Sequence, residues 1–252
     1  MGNKAARQIY VEIPVAASME RLWHLSQDTT LHPQWDLRFT AIRPTSADSD
    51  GTQRFGYEFR LPFHTIRGTG TSLGTRTGGN GHATSVLKFT TGDPLSPIGP
   101  GAGYWRYLPY DGGVRFITGY TYQPGWGPLG KILDDRLIRP ALGWATAVSF
   151  DRLRLWAEQD IQPAAARSAW LTDSAARTAA LGAAVGLLAA ACSSHRSAPS
   201  RTTLLLGAAA LAAALSAPAR SIVPRAARCL RAPADRTTPQ APSDLATLPE
   251  PA

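Results

Sequence analysis

Residues 134–158, "DDRLIRPALGWATAVSFDRLRLWAE", constrain this chain more than any other stretch. Leu133, Leu137, Ala141, Ala145 and Val148 recur every three to four residues, and Leu142, Trp144, Leu153 and Trp156 widen the stripe, which is the pattern of a helix with one broad apolar side. Asp134, Asp135, Arg136, Arg139, Asp151, Arg152 and Arg154 are too many charges for a span through lipid. Pro140 costs about 3 kcal/mol inside a uniform helix, so a kink or a fresh start is expected there. Adjacent Asp134 and Asp135 point to different sides of a helix, and both are expected in water, Asp135 pairing with Arg139. Such a helix needs a protein surface to lie on.

The preceding residues supply a sheet. "QIYVEIP" alternates with the period of a half-buried strand, and Ser18 is placed to cap a short helix over "MERLWHLSQ". In "RFGYEFRL", Phe55, Tyr57, Phe59 and Leu61 share one side while Arg54, Glu58 and Arg60 take the other. "GYWRYLPYDGGVRFITGYTY" reads as a hairpin turning at Asp111-Gly112 in a type I′ turn, which sets Tyr107 across from Phe116 and Trp105 across from Thr118. "FHTIRGTGTSLG" and "HATSVLKFT" are weaker strands joined by turn-rich "TRTGGNG". The order predicts an α+β fold in which the long helix covers the apolar face of an antiparallel sheet.

Several function classes are disfavoured. The net charge is +8, of which residues 161–252 carry +5, so the excess gathers beside apolar runs in the tail instead of on a folded face. That distribution suits an anionic lipid surface and argues against nucleic acid. The two cysteines, Cys192 and Cys229, form no CxxC pair or metal spacing, so no metal site and no cofactor is expected. His24, His32, His64 and His82 are scattered, and no catalytic motif stands out. "GTGTSLGTRTGGNG" has neither the spacing nor the strand-to-helix setting of a phosphate loop. The first residues, "MGNKAARQIYVEIPV", read as neither a signal peptide nor a myristoylation site.

Two stretches carry a family resemblance: "VEIPVAASMERLWHLSQDTTLHPQWD" (11–36) and "SFDRLRLWAE" near the end of the long helix. Over about residues 7–160 the chain resembles the START-related (SRPBCC) superfamily of polyketide cyclase/dehydrase and lipid-transport proteins. The resemblance implies a helix-grip fold, a curved antiparallel sheet wrapped around a long C-terminal helix, and an apolar or amphipathic ligand held between the two.

The domain is expected to span residues 1–162, followed by a linker over 163–177. Two uncharged Ala- and Leu-rich segments within 178–219 read as a helical hairpin through a membrane, with Gly182 and Gly186 as a small-residue contact between helices. An Ala-rich soluble helical hairpin or a disordered appendage is the alternative. Arg220, Arg225, Arg228, Arg231 and Arg236 follow the second segment and place tail and domain on the cytoplasmic side. Residues 220–252, basic and then Pro-rich, are expected to be largely disordered.

The side chains on the faces that helix and sheet should turn to each other are Trp35, Phe39, Phe55, Tyr57, Phe59, Trp105, Tyr107, Phe116, Tyr120, Ala141, Trp144 and Val148. These are the expected cavity lining, and plain core packing is the competing reading, because pockets and cores use the same residue types. The expected function is binding of a hydrophobic small molecule such as a lipid, isoprenoid or polyketide by a membrane-tethered carrier or sensor. Membrane lipid is the second expected partner. The alternatives are a cyclase/aromatase or dehydratase using the same cavity, and an adaptor whose core is filled.

Overall fold

The computed structural model describes residues 8–76, 81–193, 201–216, 221–233, 238 and 240–251. Residues 1–7 of the N-terminal reading, residues 77–80 of the expected turn, Arg220 and Arg236 lie outside the described residues. The chain divides into two compact units, Met1–Pro163 with Arg225–Ala252, and Ala164–Pro224.

The first unit is built on one antiparallel sheet of seven strands: β1 (Ile9–Val15), β2 (Ala41–Ala47), β3 (Gln53–Arg60), β4 (Thr65–Arg76), β5 (Ala83–Thr90), β6 (Ile98–Tyr110) and β7 (Gly113–Pro124). Their order is β1-β7-β6-β5-β4-β3-β2, a meander whose first strand closes onto its last. Helices α1 (Met19–Gln27) and α2 (His32–Trp35) fill the crossover from β1 to β2. Ser18 caps α1 as expected, its hydroxyl accepting from the Arg21 amide at 3.2 Å. In the hairpin, Tyr107 pairs with Phe116 and Trp105 with Thr118, as the alternation requires. The turn is not type I′, however, because only Gly112 (φ 101°) takes a left-handed conformation while Asp111 does not.

After β7 come α3 (Gly127–Leu133), a π-helical segment (Asp134–Ile138) and α4 (Arg139–Gln159). Pro140 directly follows the π turn in a helical backbone that runs unbroken from Gly127 to Gln159, Arg139 donating its amide to the Asp134 carbonyl, so the expected fresh start is not seen. The wider π turn alters the phase of the stripe. Ile138 is buried and Leu142 half-buried, whereas Leu137, Ala141 and Trp144 are exposed. The expected inward placing of Ala141 and Trp144 is therefore corrected. Asp134, expected in water, is buried with Tyr122 and Arg139 as partners, and Asp135 stays exposed.

From Thr146 onward α4 is buried on nearly every side. It packs on β1, with Phe150 stacked on Phe116 at 4.5 Å. The tail covers another side. Described tail residues, expected to be disordered, rest instead on the domain, because the sheet and α4 offer the partners that a Pro-rich segment lacks by itself. Leu230 exchanges both backbone hydrogen bonds with Glu12 at 2.8 Å, capping the free edge of β1. Leu245 and Leu248, around helix α7 (Asp244–Thr247), cover Tyr10, Val86, Tyr104 and Ile117 on the convex face. The Thr71 hydroxyl donates to the Pro249 carbonyl at 2.7 Å, and Lys88 pairs with Glu250.

The second unit holds α5 (Pro163–Ser193) and α6 (Arg201–Leu215), so the stretch expected as a linker is helical. Arg177 donates to the Ala214 carbonyl at 2.9 Å, and a side chain on Gly207 would meet Leu187, which sets the two helices antiparallel. Gly182 and Gly186 face open space, so the close approach falls to Gly207 instead of the expected pair.

Asp151 joins α4 to the tail. Its fully buried carboxylate accepts from Arg154 (2.8 Å), from Arg228 (2.8 Å) and from the Arg225 amide (2.7 Å). Asp151→Ala takes this acceptor from the Arg225 amide and the Arg228 guanidinium, while Arg154 keeps Glu158 at 2.6 Å. The substitution is expected to destabilise the first unit by about 3–5 kcal/mol in denaturant unfolding of the full chain, and a loss under about 1 kcal/mol would rule that role out.

Candidate functional site

The sheet's concave face is built from glycine and aromatic pairs. On β4 and β6, Gly68, Gly70 and Gly101 leave room for the rings of Tyr57, Phe55 and Phe89, which lie flat over them; an added Cβ would come within 2.4 Å of those rings. Helix α4 covers the β1 end of this face. There Trp35, Trp105, Tyr107, Phe116, Val148 and Phe150 are buried in one cluster, with Trp35 5.9 Å from Trp105 and 6.3 Å from Phe150. Toward β3 and β5 the rings of Phe39, Phe55, Phe59 and Phe89 are half-buried, and Tyr57 is buried against Phe39 at 5.7 Å.

Of the residues expected to line a cavity, the structure thus packs Trp35, Trp105, Tyr107, Phe116, Tyr120 and Val148 into the core cluster. It sets Phe39, Phe55 and Phe59 half-buried toward β3, with Tyr57 buried beside them. Burial raises the Tyr57 hydroxyl to about 12 and moves Tyr107 upward too. Both phenols stay protonated, Tyr57 donating to the Thr90 carbonyl and Tyr107 meeting Ser26 and Gln27.

Sequence reasoning missed a charged cluster at the boundary of these two regions. Trp35 donates its indole N–H to the Leu25 carbonyl, and Arg152 of α4 donates to the carbonyls of Gln34 and Trp35, which fixes the end of α2. Asp36 follows, fully buried. It accepts from Arg38 Nε at 2.9 Å and Nη2 at 2.6 Å, and from His32 Nε2 at 3.0 Å. The Arg38 guanidinium lies over the Tyr120 ring at 5.2 Å, and the Tyr120 hydroxyl meets Thr146 of α4 at 2.9 Å. His32 stacks on Trp35 at 4.8 Å. The signal was present as His32, Asp36 and Arg38 at spacings of four and two, the first of which puts two groups on one side of a helical turn.

The electrostatics are those of a closed pair with a neutral neighbour. Burial by itself would raise Asp36, but Arg38 and His32 outweigh it and hold the carboxyl far below its usual range. Burial likewise opposes the Arg38 charge, and Asp36 outweighs it. Burial lowers His32 more than Asp36 raises it, which keeps the imidazole neutral at pH 7. The site therefore presents one fixed guanidinium, its charge balanced by Asp36, and the hydroxyls of Tyr120 and Thr146 inside an aromatic surround. That combination can orient a polar end of an otherwise apolar molecule.

No family model matches the chain. A stretch of 159 residues is 42% identical to the uncharacterized membrane protein YndG of Bacillus subtilis (strain 168), covering 62% of this chain; the chain spans 59% of that relative's length. Among solved structures, a STAR-related lipid transfer protein from Xanthomonas axonopodis aligns over 61% of this chain and 90% of its own at 16% identity, with a TM-score of 0.46. The Zhui aromatase/cyclase from Streptomyces sp. R1128 aligns over 62% and 98% at 12% identity, with a TM-score of 0.44.

The sign of the His32 shift makes the cluster testable by pH. A depressed folded pKa means that the unfolded imidazole takes a proton the folded one refuses, so stability is full above about 6.5 and is lost as pH falls below it. Asp36 adds stability above about 3.8 that fades only below that pH. His32→Asn should remove the upper decline and leave the lower one when unfolding free energies of both chains are compared across pH; superimposable profiles would refute the assignment. The first unit has a helix-grip α+β fold, a curved antiparallel sheet of seven strands in which β1 lies beside β7 and helix α4 packs on the concave face.

Proposed function

We propose that the first unit binds an apolar or amphipathic small molecule on the concave face toward β3 and β5, with its polar end at Arg38, Tyr120 and Thr146. The observation that carries this reading is the division of the concave face. Its β1 half is sealed by α4 and contacting rings, while its other half keeps Phe55 and Phe89 half-buried over glycines and Phe39 half-buried 5.8 Å from the Arg38 guanidinium. Such rings gain about 25 cal/mol for each Å² of apolar area that a ligand removes from water. The guanidinium supplies orientation. The lipid-transfer and aromatase/cyclase names of the two solved structures are compatible with an apolar ligand, and carrier or sensor is the role proposed for this chain.

The same reading places the domain at a membrane. Helix Pro163–Ala191 is long and apolar enough to cross a bilayer by length and composition, and α6 is a shorter apolar helix. The relative is named a membrane protein. Leu181, Val185, Leu188, Leu205 and Leu215 are exposed on the second unit, as suits contact with lipid. We assign the domain to the cytoplasmic side from the arginines that follow α6.

Two measurements test these readings separately. Solvent extracts of the purified full chain, analysed by mass spectrometry, should contain one class of apolar molecule near stoichiometry. The extract of a Leu87→Trp chain should lack it, since Leu87 is half-buried on the concave face between Ser72 and Gly103 and an indole there fills the open half. Identical extracts overturn the binding reading. Resistance of the full chain to alkaline carbonate extraction is expected from the membrane reading, and release into the wash overturns it.

A further inference from the structure

Three segments at one end of the sheet are tied together and expose apolar side chains. The β3–β4 turn is linked to the β5–β6 loop by His64 and Asp93 at 2.7 Å, and that loop is linked to the start of α3 by the Gly125 amide donating to the Pro97 carbonyl at 2.9 Å. From this rim project Phe63 (100% exposed), Leu95, Trp126, Leu129, Ile132 (64%) and Leu137 (60%). A rim this apolar is unusual for a surface in water, where large hydrophobic side chains are normally scattered singly. Trp126 adds a second observation. Its backbone is left-handed (φ 52°), a conformation costly for a bulky residue, and the ring is held 42% exposed instead of being turned inward.

The charges around the rim narrow its partner. Arg60, Lys131 and Arg136 are exposed, and Asp135 is the exposed acid among them. The other acids nearby, Asp93 and Glu58, are mostly covered and paired with His64 and with Arg43, Arg67 and, at 4.0 Å, Arg60. Apolar side chains ringed by cations match the boundary between acyl chains and anionic headgroups. A helix in the same chain that is long enough to span a bilayer would keep such a surface available at high effective concentration.

We propose that this rim docks the first unit onto a bilayer bearing anionic lipid, with Phe63 and Ile132 entering the headgroup region. The proposal concerns a surface distinct from the Arg38 cluster and does not depend on which molecule the concave face holds. Its test is hydrogen exchange of the full chain in nanodiscs of phosphatidylcholine, alone or mixed with phosphatidylglycerol. Amides of residues 61–64, 93–97 and 126–137 should exchange more slowly in the mixed discs, while the Asp111–Gly113 turn at the opposite end of the strands should not change. Phe63→Ser and Ile132→Ser, both at exposed positions, should each lower the docking constant about tenfold and leave exchange in β6 and β7 unaltered. Equal exchange in the two kinds of disc, or protection that survives both substitutions, overturns the proposal. Neither co-purified ligand nor carbonate resistance enters this readout, so its failure is separable from theirs.

Discussion

Burying the carboxylate of Asp151 costs several kcal/mol, and it is tolerated because Arg154, Arg228 and the Arg225 amide all converge on it. Next to it, Arg152 donates to the carbonyls of Gln34, Trp35 and Pro163. These neighbouring residues of α4 thus hold three chain segments: the end of α2, the residue at which α4 gives way to α5, and the start of the tail. The geometry of the candidate site depends on the first of them, since Asp36 and Arg38 are set by where α2 stops. A second contact from α4, Ser149 accepting from the Leu37 amide at 2.8 Å, fixes the same loop from the other side.

The division of the concave face follows from where side chains are missing. Gly68, Gly70 and Gly101 face the concave side beside aromatic partners, and each ring bends over the gap its neighbour leaves. At Gly103 the backbone comes close to Tyr120 instead. Rings lying flat against the sheet take up less height than rings standing on it, and on the β3–β5 half Phe55, Phe59 and Phe89 remain half-buried. Toward β1, where Val11, Ile13 and Val15 alternate with no glycine between them, the same face joins Phe150 and Leu153 in one fully buried cluster. One sheet thereby serves as core at one side and as surface at the other.

The sheet was legible in the sequence where period-two alternation was backed by a specific turn. Asp111-Gly112 fixed the pairing of Tyr107 with Phe116, even though the turn type differs, because a two-residue loop sets the register whichever dihedrals it adopts. The helix was legible in extent but not in phase. A π turn leaves no mark on a 3.6-residue count, and the buried Asp134 with its Arg139 and Tyr122 partners is what stabilises that widened turn. The Asp36 cluster was hidden for another reason. Composition suggests that acids and arginines lie in water, and only their tertiary partners on α4 and β7 show that these do not. The tail was misread in the same way, since a segment too polar to fold alone can still be ordered by a surface already built.

That ordering has a consequence for how the two units are connected in the chain. Ala164–Pro224 is inserted between α4 and the segment that completes the first unit, and residues on either side of it, Pro163 and Arg225, are held by Arg152 and Asp151. Closing a loop of that length costs only slightly more than closing a short one, because the entropy grows with the logarithm of length. The contacts at its base offset that cost: the Asp151 ion pairs, the Cys229 thiol donating to the Ala147 carbonyl, and the two backbone bonds between Leu230 and Glu12. Burial raises the Cys229 thiol to about 12, which keeps it protonated as that donor. Without the tail, Tyr10, Val86 and Ile117 on the convex face would lose the cover of Leu245 and Leu248, and the edge of β1 would lose Leu230. The apolar helices are therefore an insertion within a discontinuous domain, and the fold of that domain is complete only when the chain on both sides of them has been brought together.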